Sequence, residues 1–436
     1  MLKGLCTRGL LAATLVALSS LAACNGGNND GDRTPSADGT QPSGDGASVT
    51  VLGLWADEEL ESFQAMVEGW GGQMDFTGTR DITSILRTRV DGGNPPDVAI
   101  PAEIGLFQEF AREGLLTPLS ECEGLEDTIR SNYPETFVEL GTVDGTLYGF
   151  FMKADTKATI WYDPAFFKAN GLQPLDERST FDDLIALSDQ IRQTGTPPWS
   201  MGQEAGGGSG FPGSDTIQQI ILNQYGADVY DQLVSGQIPM TDDRVRDAWE
   251  KFGQLALTDG YTVQGGGPGI VATEFTDSSY APFQEPAAAA LVHLGGFTSG
   301  FISDQFPDAV PGTDYDFMPW PGGGVTGAAN IAYAFNSDPA TCSFLSHIAG
   351  ADAQQVWVER GGFTSLNSQV SLDAYEDVVA RRQARQLLDA ETFRFDLDDA
   401  IGGSVQQAIF QGVLQYLTNP DSLDSILRNI EAARGG

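Results

Sequence analysis

The sequence predicts an α/β protein built from two lobes. The chain has 436 residues, more than one hydrophobic core usually organises, so two domains or two interleaved lobes are expected. Hydrophobic residues make up 41% of the chain and aromatic residues 10%, which is typical of a globular protein. Beyond the N-terminal region, strand-like and helix-like segments alternate with short connections, and this alternation indicates a layered α/β arrangement.

The first 24 residues have the pattern of an export signal. Lys3 and Arg8 form a basic start, and residues 10–18 form an apolar stretch too short to span a bilayer. The string Leu21-Ala22-Ala23-Cys24 that follows resembles a bacterial lipobox, which implies cleavage before Cys24 and lipidation of that cysteine. The alternative is an ordinary secretory signal in which the cysteine is incidental. We expect an exported protein, lipid-anchored to the outer face of the cytoplasmic membrane.

The segment after the signal has the composition of a linker. Residues 25–47 are almost entirely Gly, Asn, Asp, Ser, Thr and Pro, with no apolar side chain larger than alanine. Such a segment cannot bury enough apolar surface to form a core. We therefore predict a flexible tether over residues 24–47, with the globular body beginning near Ser48.

The chain is strongly acidic. It carries 60 acidic and 23 basic residues, for a formal net charge of −37. Such a field repels phosphate backbones and anionic lipid surfaces, so nucleic acid is not an expected partner. We interpret the acidity as a property of a solvated surface.

Two cysteines remain for the folded body. Cys6 lies in the predicted signal and Cys24 is the predicted lipid site, which leaves Cys122 and Cys342. In an oxidising compartment these two could form a disulfide or remain two buried thiols, and their spacing does not distinguish the alternatives. If they pair, we expect both to lie in the same lobe.

The body begins with strand patterns that alternate with helix patterns. This order predicts a mainly parallel sheet with a ligand crevice at the carboxyl ends of its strands. The predicted segments are the strands Val49–Trp55, Gln73–Thr77 and Asp97–Ile100 and the helices Asp57–Trp70, Asp81–Asp91 and Glu103–Glu113.

A second run of elements follows and ends in a tail that we predict to be helical from Ser371 onward. Glycine-rich stretches at Gly206–Gly210, Gly265–Gly269 and Gly322–Gly324 are interpreted as loops at a site or surface. The predicted segments before the tail are the strands Ala158–Tyr162, Ala288–Leu294 and Asn330–Phe335 and the helices Thr180–Thr194, Asp215–Tyr225, Pro339–Ala349 and Asp352–Arg360.

Common catalytic motifs do not occur in the sequence. It has no Gly-Lys dipeptide, Cys-x-x-Cys, His-Glu-x-x-His or Gly-x-Ser-x-Gly string. The only histidines are His293 and His347, so a multi-histidine metal site is excluded. We predict His347 to be structural and His293 to lie at a strand end that faces a crevice. No cofactor and no metal are expected.

One glycine string resembles a dinucleotide-binding fingerprint. Gly322, Gly324 and Gly327 have the Gly-x-Gly-x-x-Gly spacing, but a predicted strand follows where that fold needs a helix. We therefore predict a loop over this string.

Aromatic residues and planar polar residues occur together at several predicted loops. Sugars require both kinds, because their C–H faces pack on rings while their hydroxyls take hydrogen bonds from carboxylates, amides and guanidinium groups. Trp161 and Trp357 have apolar spacing that predicts core positions, and Trp320 between two prolines is interpreted as a loop cap. The loop positions are Trp55, Asp57, Glu58, Thr79 to Asp81, Trp199, Phe211 to Asp215, Phe297 and Arg394 to Asp396.

Several strings, taken in order from Val49 to Ala433, resemble the sugar-binding class (family 1) of extracellular solute-binding proteins of bacterial ABC importers, and within it the α-glucoside group. The strings are Thr77-Gly78-Thr79-Arg80-Asp81, Gly92-Gly93-Asn94-Pro95-Pro96-Asp97-Val98, Leu140-Gly141-Thr142-Val143-Asp144-Gly145-Thr146-Leu147-Tyr148-Gly149, Trp161-Tyr162-Asp163-Pro164, Phe211-Pro212-Gly213-Ser214-Asp215, Tyr315-Asp316-Phe317, Gly361-Gly362-Phe363 and Phe393-Arg394-Phe395-Asp396.

The resemblance implies a type II-like periplasmic-binding-protein fold, with interleaved lobes and a ligand cleft between them. It also implies a non-enzymatic, monomeric protein that captures a carbohydrate, expected to be an α-glucoside such as a disaccharide, and delivers it to ABC permease subunits. Crossings between lobes are expected near Lys153–Thr156, Ala328–Asn330 and Gly362–Ser365. The expected segments are signal 1–23, tether 24–47, lobe 1 at 48–153 and 329–363, and lobe 2 at 154–328 and 364–436.

Carried over by motif, the resemblance also supplies candidate sugar contacts in both lobes. In the first lobe the candidates are Trp55, Glu58, Arg80, Asp97 and Glu103. From the crossing segments and the second lobe they are Asp155, Phe211, Asp215, His293, Asn330, Arg394 and Asp396.

The chain departs from the α-glucoside group at four positions. Ser200 and Ala289 stand where that group often has cysteines, which fits the loss of one disulfide. Asn330 stands where an aspartate is frequent, and Phe211 where a tryptophan is frequent, so the exact sugar stays open.

Two other functions remain compatible with the residues. A lipid-anchored glycosidase is one, because 60 acidic residues offer many carboxylate pairs, and a purely structural surface protein is the other. A hydrolysis assay separates enzyme from binding protein, and sugar-dependent stabilisation separates binding protein from structural protein.

Overall fold

The computed structural model describes residues 46–79 and 81–435, without the side chains of Asp57 and Glu58. The predicted signal, Cys24 and Arg80 lie outside the described residues. The described body forms one compact unit. Within it, no helix combines the length and the apolar composition needed to cross a bilayer.

Most strands belong to one large mixed sheet and the others to two small antiparallel sheets. The strands are β1 (Ser48–Gly53), β2 (Gln73–Gly78), β3 (Val98–Ile100), β4 (Thr142–Val143), β5 (Thr146–Leu147), β6 (Gly149–Thr156), β7 (Thr159–Tyr162), β8 (Leu291–His293), β9 (Asp316–Pro319), β10 (Val325–Ala334), β11 (Thr364–Ser365) and β12 (Phe393–Phe395).

The helices pack around these sheets. They are α1 (Asp57–Val67), α2 (Ile82–Asp91), α3 (Ile104–Arg112), α4 (Leu125–Asn132), α5 (Glu135–Leu140), α6 (Pro164–Ala169), α7 (Phe181–Gln193), α8 (Phe211–Tyr225), α9 (Ala227–Val234), α10 (Asp243–Leu257), α11 (Gly267–Ala272), α12 (Phe275–Ser278), α13 (Thr298–Gln305), α14 (Pro339–Ala349), α15 (Ala351–Arg360), α16 (Val378–Leu388), α17 (Leu397–Ile401), α18 (Gly403–Thr418) and α19 (Leu423–Arg434).

Local sequence explains where several helices begin. Thr180 caps α7, since its hydroxyl accepts the N–H of Asp183 while the carboxylate of Asp183 accepts the N–H of Thr180. Asp163 caps α6 by accepting the N–H of Ala165, and Pro164 occupies the first helical position, where a missing N–H costs nothing.

The large sheet combines parallel and antiparallel pairs. β1 pairs in parallel with β2 and β3, as predicted, but β10 runs antiparallel to both β3 and β6. The predicted parallel pairing therefore holds for β1 to β3, which carry the strands predicted at the start of the body, whereas β6, β10 and β11 add antiparallel pairs. β6 leads into the segment predicted for lobe 2 and β10 returns from it, and an antiparallel pair of this kind needs no crossover between neighbouring strands.

The three expected crossings lie side by side in this sheet. Ala154 of β6 pairs with Ala329 of β10 on one side and with Thr364 of β11 on the other. Adjacent strands of this kind allow two lobes to move about a shared set of backbone segments. The boundaries of the lobes themselves stay a prediction.

The second lobe contains a separate antiparallel sheet in the order β8-β7-β9. Trp161 of β7 is fully buried there and donates its indole N–H to the carbonyl oxygen of Leu294 at 3.1 Å. Its predicted core position is confirmed, as is that of Trp357, which is 1% exposed. The large sheet and this smaller one, together with the helices around them, give the α/β class that the sequence predicts.

The C-terminal tail is not helical throughout. β12 interrupts it and pairs in parallel with Val325–Gly327 of β10, a segment that the sequence predicts as loop. Phe393 and Phe395 are buried against Phe137 and Phe151, so tertiary packing overrides the local helical tendency. Both predictions were wrong at this point.

Gly327 lies inside β10 because two strands approach closely there. A side-chain carbon at this position would lie 2.4 Å from the backbone oxygen of Asp155 on β6. The third glycine of the string thus serves strand packing and not nucleotide binding.

Cys122 and Cys342 form a disulfide, with Cα atoms 5.1 Å apart. Cys342 belongs to α14, and Cys122 directly follows the short 3-10 turn Leu119–Glu121. Both residues fall in segments predicted for lobe 1. Of the two alternatives that the sequence leaves open, the structure shows the paired one.

Candidate functional site

The acidic side chains predicted for lobe 2 meet at Lys157, which was not among the predicted contacts. Its Nζ lies 2.8 Å from Oδ2 of Asp215 and 3.5 Å from Oδ2 of Asp396. The three side chains are only 10%, 4% and 2% exposed, so the ammonium is paired away from bulk water. Together with Asp398 and Asp399 they form what we term the Lys157 cluster.

Three separate segments bring the cluster together. Lys157 directly follows β6, Asp215 lies near the start of α8, and Asp396 precedes α17 immediately after β12. The N–H of Asp396 donates to the carbonyl oxygen of Gly327 on β10, which places the start of α17 beside the crossing strands. The cluster therefore combines Lys157, which follows β6, with Asp396 from the C-terminal part of the chain.

The cluster holds more carboxyl groups than cations. Burial raises the pKa values of Asp396 and Asp398 well above the usual range, and neighbouring carboxylates raise them further, against the opposing effect of Lys157. Burial likewise raises the pKa of Asp399 to about 6. The cluster thus places several carboxyl oxygens and an ammonium close together, so it offers both acceptors and donors of hydrogen bonds.

Lys157 keeps its charge in this environment. Burial alone would lower its pKa, but the carboxylates of Asp215 and Asp396 outweigh that effect and raise the pKa well above the ordinary value. The site therefore contains a permanent ammonium.

Four half-buried phenylalanines, which we term the phenylalanine wall, flank the cluster. Phe211 packs edge-on against Phe275 at 5.0 Å between ring centroids, Phe275 packs against Phe301 at 5.8 Å, and Phe301 packs against Phe297 at 5.6 Å. The rings come from the starts of α8, α12 and α13. Lys157 Nζ lies 5.2 Å from the Phe211 centroid and 5.5 Å from the Phe297 centroid, within the range of cation–π attraction.

Asp155 lines the same region from β6. Its Oδ2 accepts the N–H of Phe297 at 3.2 Å, and burial raises its pKa to about 6 against the opposing charges of Lys157 and Lys153. Gly296 permits this contact, because a side-chain carbon there would lie 2.3 Å from Oδ1 of Asp155.

Glu103 approaches the cluster from a segment predicted for lobe 1, and Asn330 lies in the other segment predicted for that lobe. Glu103 precedes α3, and its charge contributes to the raised pKa of Asp399 in the Lys157 cluster. A side-chain carbon on the next glycine, Gly105, would lie 3.5 Å from the backbone oxygen of Ala400, so α3 begins against α17. Asn330 of β10 is half-buried and pairs through its backbone with Lys153.

Three buried polar atoms in these segments have no hydrogen-bond partner among the described residues. They are Oε2 of Glu103, Oδ1 of Asp396 and Oγ1 of Thr298, the residue after Phe297. Buried polar atoms in native proteins are nearly always satisfied, so the orphaned oxygens of Asp396, in the cluster, and of Glu103, which acts on Asp399, indicate a place where a polar ligand can bind.

Trp55 does not offer a face to this region. It is 2% exposed and is enclosed by Phe63, Phe76 and Trp357, with centroid distances of 4.6, 6.4 and 4.8 Å. Trp55, predicted to stack on a sugar, is therefore a core residue, because aromatic side chains surround it after the end of β1.

Asp97 lies at the amino end of β3, away from the expected crevice at the carboxyl end. Its carboxylate accepts the N–H and the hydroxyl of Thr50 at 2.7 and 2.8 Å and the amide of Asn336 at 2.8 Å. These hydrogen bonds lower its pKa although burial acts in the opposite direction. The structure thus assigns Asp97 to strand pairing.

His293 is engaged on both ring nitrogens. Nε2 lies 2.8 Å from the backbone oxygen of Lys157 and so carries the proton, while Nδ1 accepts from the hydroxyl of Thr216 at 2.9 Å. Burial lowers the pKa of His293 to about 4, so the ring is neutral at pH 7. Its hydrogen bond to the backbone oxygen of Lys157 holds the backbone of that residue in place.

Arg394 is paired outside the cluster. Its guanidinium donates to both carboxylate oxygens of Asp231, at 2.6 and 2.8 Å, and so links β12 to α9. Of the remaining predicted contacts, Arg80 lies outside the described residues and the side chain of Glu58 is not described.

The sequence contains a signal for Lys157, Asp398 and Asp399, which were not among the predicted contacts. Lys157 is the charged residue between two buried strands, β6 and β7, and Asp398 and Asp399 closely follow the predicted Asp396. An ionisable group inside a buried stretch is unusual enough to mark a site. Within residues 46–79 and 81–435, no group of His, Cys, Asp and Glu side chains is arranged to hold a metal ion.

A groove of about 740 Å³ lies elsewhere in lobe 2. It runs between α16, including Arg382 and Arg385, and the loop Trp320–Val325. None of the predicted sugar contacts lines it, so the polar and aromatic chemistry of the Lys157 cluster identifies the candidate site better than volume does.

The α/β fold brings a polar and aromatic site next to the strands β6, β10 and β12 of the large sheet. The family model described as bacterial extracellular solute-binding protein matches residues 67–355, and the chain belongs to this family. The expected class, a solute-binding protein and not an enzyme, is confirmed.

Related proteins are similar along nearly the whole chain. The osmoprotective compounds-binding protein GgtB of Synechocystis sp. is 30% identical over 97% of this chain and 98% of its own. The alpha-glucosides-binding periplasmic protein AglE of Rhizobium meliloti is 31% identical over 87% of this chain and 85% of its own. The solved structure of the bacterial solute receptor AcbH, 17% identical, has a TM-score of 0.74 over 89% of this chain and 97% of AcbH, which supports the fold.

Proposed function

We propose that this protein is the substrate-binding lipoprotein of an ABC sugar importer and that it captures an α-glucoside of about disaccharide size between its lobes. The observation that carries the proposal is the Lys157 cluster beside the phenylalanine wall. Carboxyl groups, carboxylates and an ammonium stand there next to half-buried rings. Binding to ABC permease subunits follows from this role.

The chemistry of the site matches a neutral sugar. Sugar hydroxyls both donate and accept hydrogen bonds, and Asp215, Asp396 and Lys157 supply acceptors and donors at fixed positions. The C–H faces of a pyranose ring pack on aromatic surfaces such as Phe211 and Phe297. Hydroxyls reaching the orphaned oxygens of Glu103 and Asp396 would satisfy buried atoms that otherwise cost free energy.

The two relatives support the same chemical class. One is named for osmoprotective compounds and the other for alpha-glucosides. Trehalose, sucrose and maltose are compact, neutral glucosides, so they are the first ligands to test.

A ligand at this position would contact both lobes. Glu103 and Asn330 belong to segments predicted for lobe 1, and Asp215 and Asp396 to segments predicted for lobe 2. A ligand that touches both lobes stabilises the closed arrangement through contacts that the open arrangement lacks. The adjacent crossing strands β6, β10 and β11 provide the hinge in this proposal.

Calorimetric titration of the soluble body, residues 48–436, with maltose, trehalose and sucrose tests the proposal. We expect the parent to bind one of them and Asp215→Asn to bind it at least tenfold more weakly, because the charged acceptor is lost. Asp373→Asn, at an exposed residue away from the cluster, is the control and should bind as the parent does. A parent that binds none of the three sugars refutes the α-glucoside assignment.

A further inference from the structure

Lys157 occupies an unusual place in the proposed binding site. Its ammonium lies over two phenylalanine rings and between two aspartates. Aromatic rings together with carboxylates form the standard environment for binding a cationic ligand, such as a quaternary ammonium compound. In this chain the protein's own cation lies in that environment.

The balance of charges in the cluster also indicates that Lys157 takes the place of a cationic ligand. The cluster contains Asp215, Asp396, Asp398 and Asp399, and Lys157 is the cation that lies within 4 Å of its carboxylates among the described residues. Without that ammonium, buried carboxylates beside aromatic rings would attract a positively charged ligand. With it, the attraction is satisfied internally, and the remaining hydrogen-bonding atoms are available to neutral hydroxyl groups.

We propose that Lys157 determines the charge specificity of the site: its ammonium fills the position that a cationic ligand would take, so that the protein accepts neutral sugars and rejects cationic compounds. This inference rests on the proposed function, since it concerns selection at the same site. It predicts that removing the ammonium changes which class of ligand binds, and not only how tightly sugar binds.

The test is calorimetric titration of the soluble body with two probes, the glucoside that binds the parent best and choline. The parent is expected to bind the glucoside and not choline. Lys157→Met is expected to bind the glucoside at least tenfold more weakly and to gain measurable choline binding in the millimolar range. Lys251→Met is the matched control, because Lys251 also pairs with an aspartate, Asp247, and lies 5.9 Å from a phenylalanine ring, Phe181, away from the cluster.

A second variant covers the case in which Lys157→Met does not fold because it leaves buried carboxylates without a partner. Lys157→Met combined with Asp215→Asn removes one charge of each sign and is expected to lose glucoside binding without gaining choline binding. Glucoside affinity within twofold of the parent, in either variant, overturns the inference. So does choline binding by the parent, or the absence of choline binding by a folded Lys157→Met protein. A parent that binds no glucoside refutes the proposed function as well, whereas the other results leave it standing.

Discussion

Lysine side chains normally remain in water, and Lys157 does not. Its side chain is 10% exposed and pairs with carboxylates from two other segments of the chain. Burying a charge in this way costs free energy that its partners must offset, which natural sequences tolerate chiefly where function requires it. The same reasoning separates Asp215 and Asp396, which belong to the cluster, from Arg394, which is paired with the half-exposed Asp231.

The ring of Phe211 is the aromatic contact most directly testable at this scale. Phe211→Ala should weaken binding of the preferred glucoside by about 1–3 kcal/mol, roughly fivefold to 150-fold, because ring surface that would pack on the sugar is lost. Calorimetric titration measures the change. Phe166→Ala removes a half-buried ring of α6 outside the phenylalanine wall and should leave affinity unchanged. Equal effects of the two substitutions would mean that the wall is not the sugar site.

Asp155 should contribute a pH dependence to stability. Its pKa is raised to about 6 by burial, so between pH 4 and 6 the folded state keeps a proton that the unfolded state releases. The contribution of Asp155 to the unfolding free energy therefore falls as the pH rises through that window. Asp155→Asn removes this penalty, and the difference in unfolding free energy, variant minus parent, should increase by on the order of 1 kcal/mol from pH 4 to pH 7. Urea denaturation at several pH values measures it, and a difference that is constant with pH would contradict the assignment.

At the scale of elements, the crossing strands connect the fold to the site. β6 and β10 pair over most of their lengths, and the residues that follow β6 lead directly into the Lys157 cluster. β12 adds to β10 at Val325–Gly327 and places Asp396 beside the same point. Backbone pairing between distant segments thus assembles the site, and helices α8 and α17 supply side chains to it.

The disulfide acts on stability within a single predicted lobe. It closes a sequence separation of 220 residues, and the variant Cys122→Ala with Cys342→Ala should lower the unfolding free energy by about 2–4 kcal/mol. Neither cysteine contacts the Lys157 cluster, so the glucoside Kd should stay within twofold of the parent value. Denaturant unfolding and calorimetric titration of the same preparation provide both readouts. A large loss of affinity in a folded variant would show that the bond also positions the site.

At the scale of the whole molecule, the predicted lipoprotein signal leads to a testable prediction about where the body is held. Leu21-Ala22-Ala23-Cys24 and the polar segment after it support a lipid anchor with a flexible tether. Cys24→Ser should either accumulate as an uncleaved precursor or release the body from the membrane, because the thiol that carries the lipid is absent. Membrane fractionation followed by mass spectrometry of the N-terminus measures this. A variant that is cleaved and stays in the membrane fraction like the parent would favour the ordinary secretory signal.

The sequence alone determined the order and type of most elements. Apolar periodicity predicted the strands and helices from β1 to α3 and the core positions of Trp161 and Trp357, because burial of one face leaves a regular pattern along the chain. The resemblance of ordered motifs predicted the family and the two-lobe fold, and the three segments that it predicts as crossings lie side by side in the large sheet.

Only the tertiary structure decided which side chains meet. Lys157 and Asp215 are 58 residues apart, and Asp396 comes from the other end of lobe 2, so no local pattern relates them. The same holds for Trp55 and Arg394, which carry suitable chemistry but are enclosed or paired by distant neighbours. β12 escaped prediction for the same reason, since its strand conformation depends on pairing with β10 and on packing against Phe137 and Phe151. The spacing of apolar residues along the chain indicates whether a residue is buried. The residues that it contacts depend on pairing between distant strands, which a short window of sequence does not reveal.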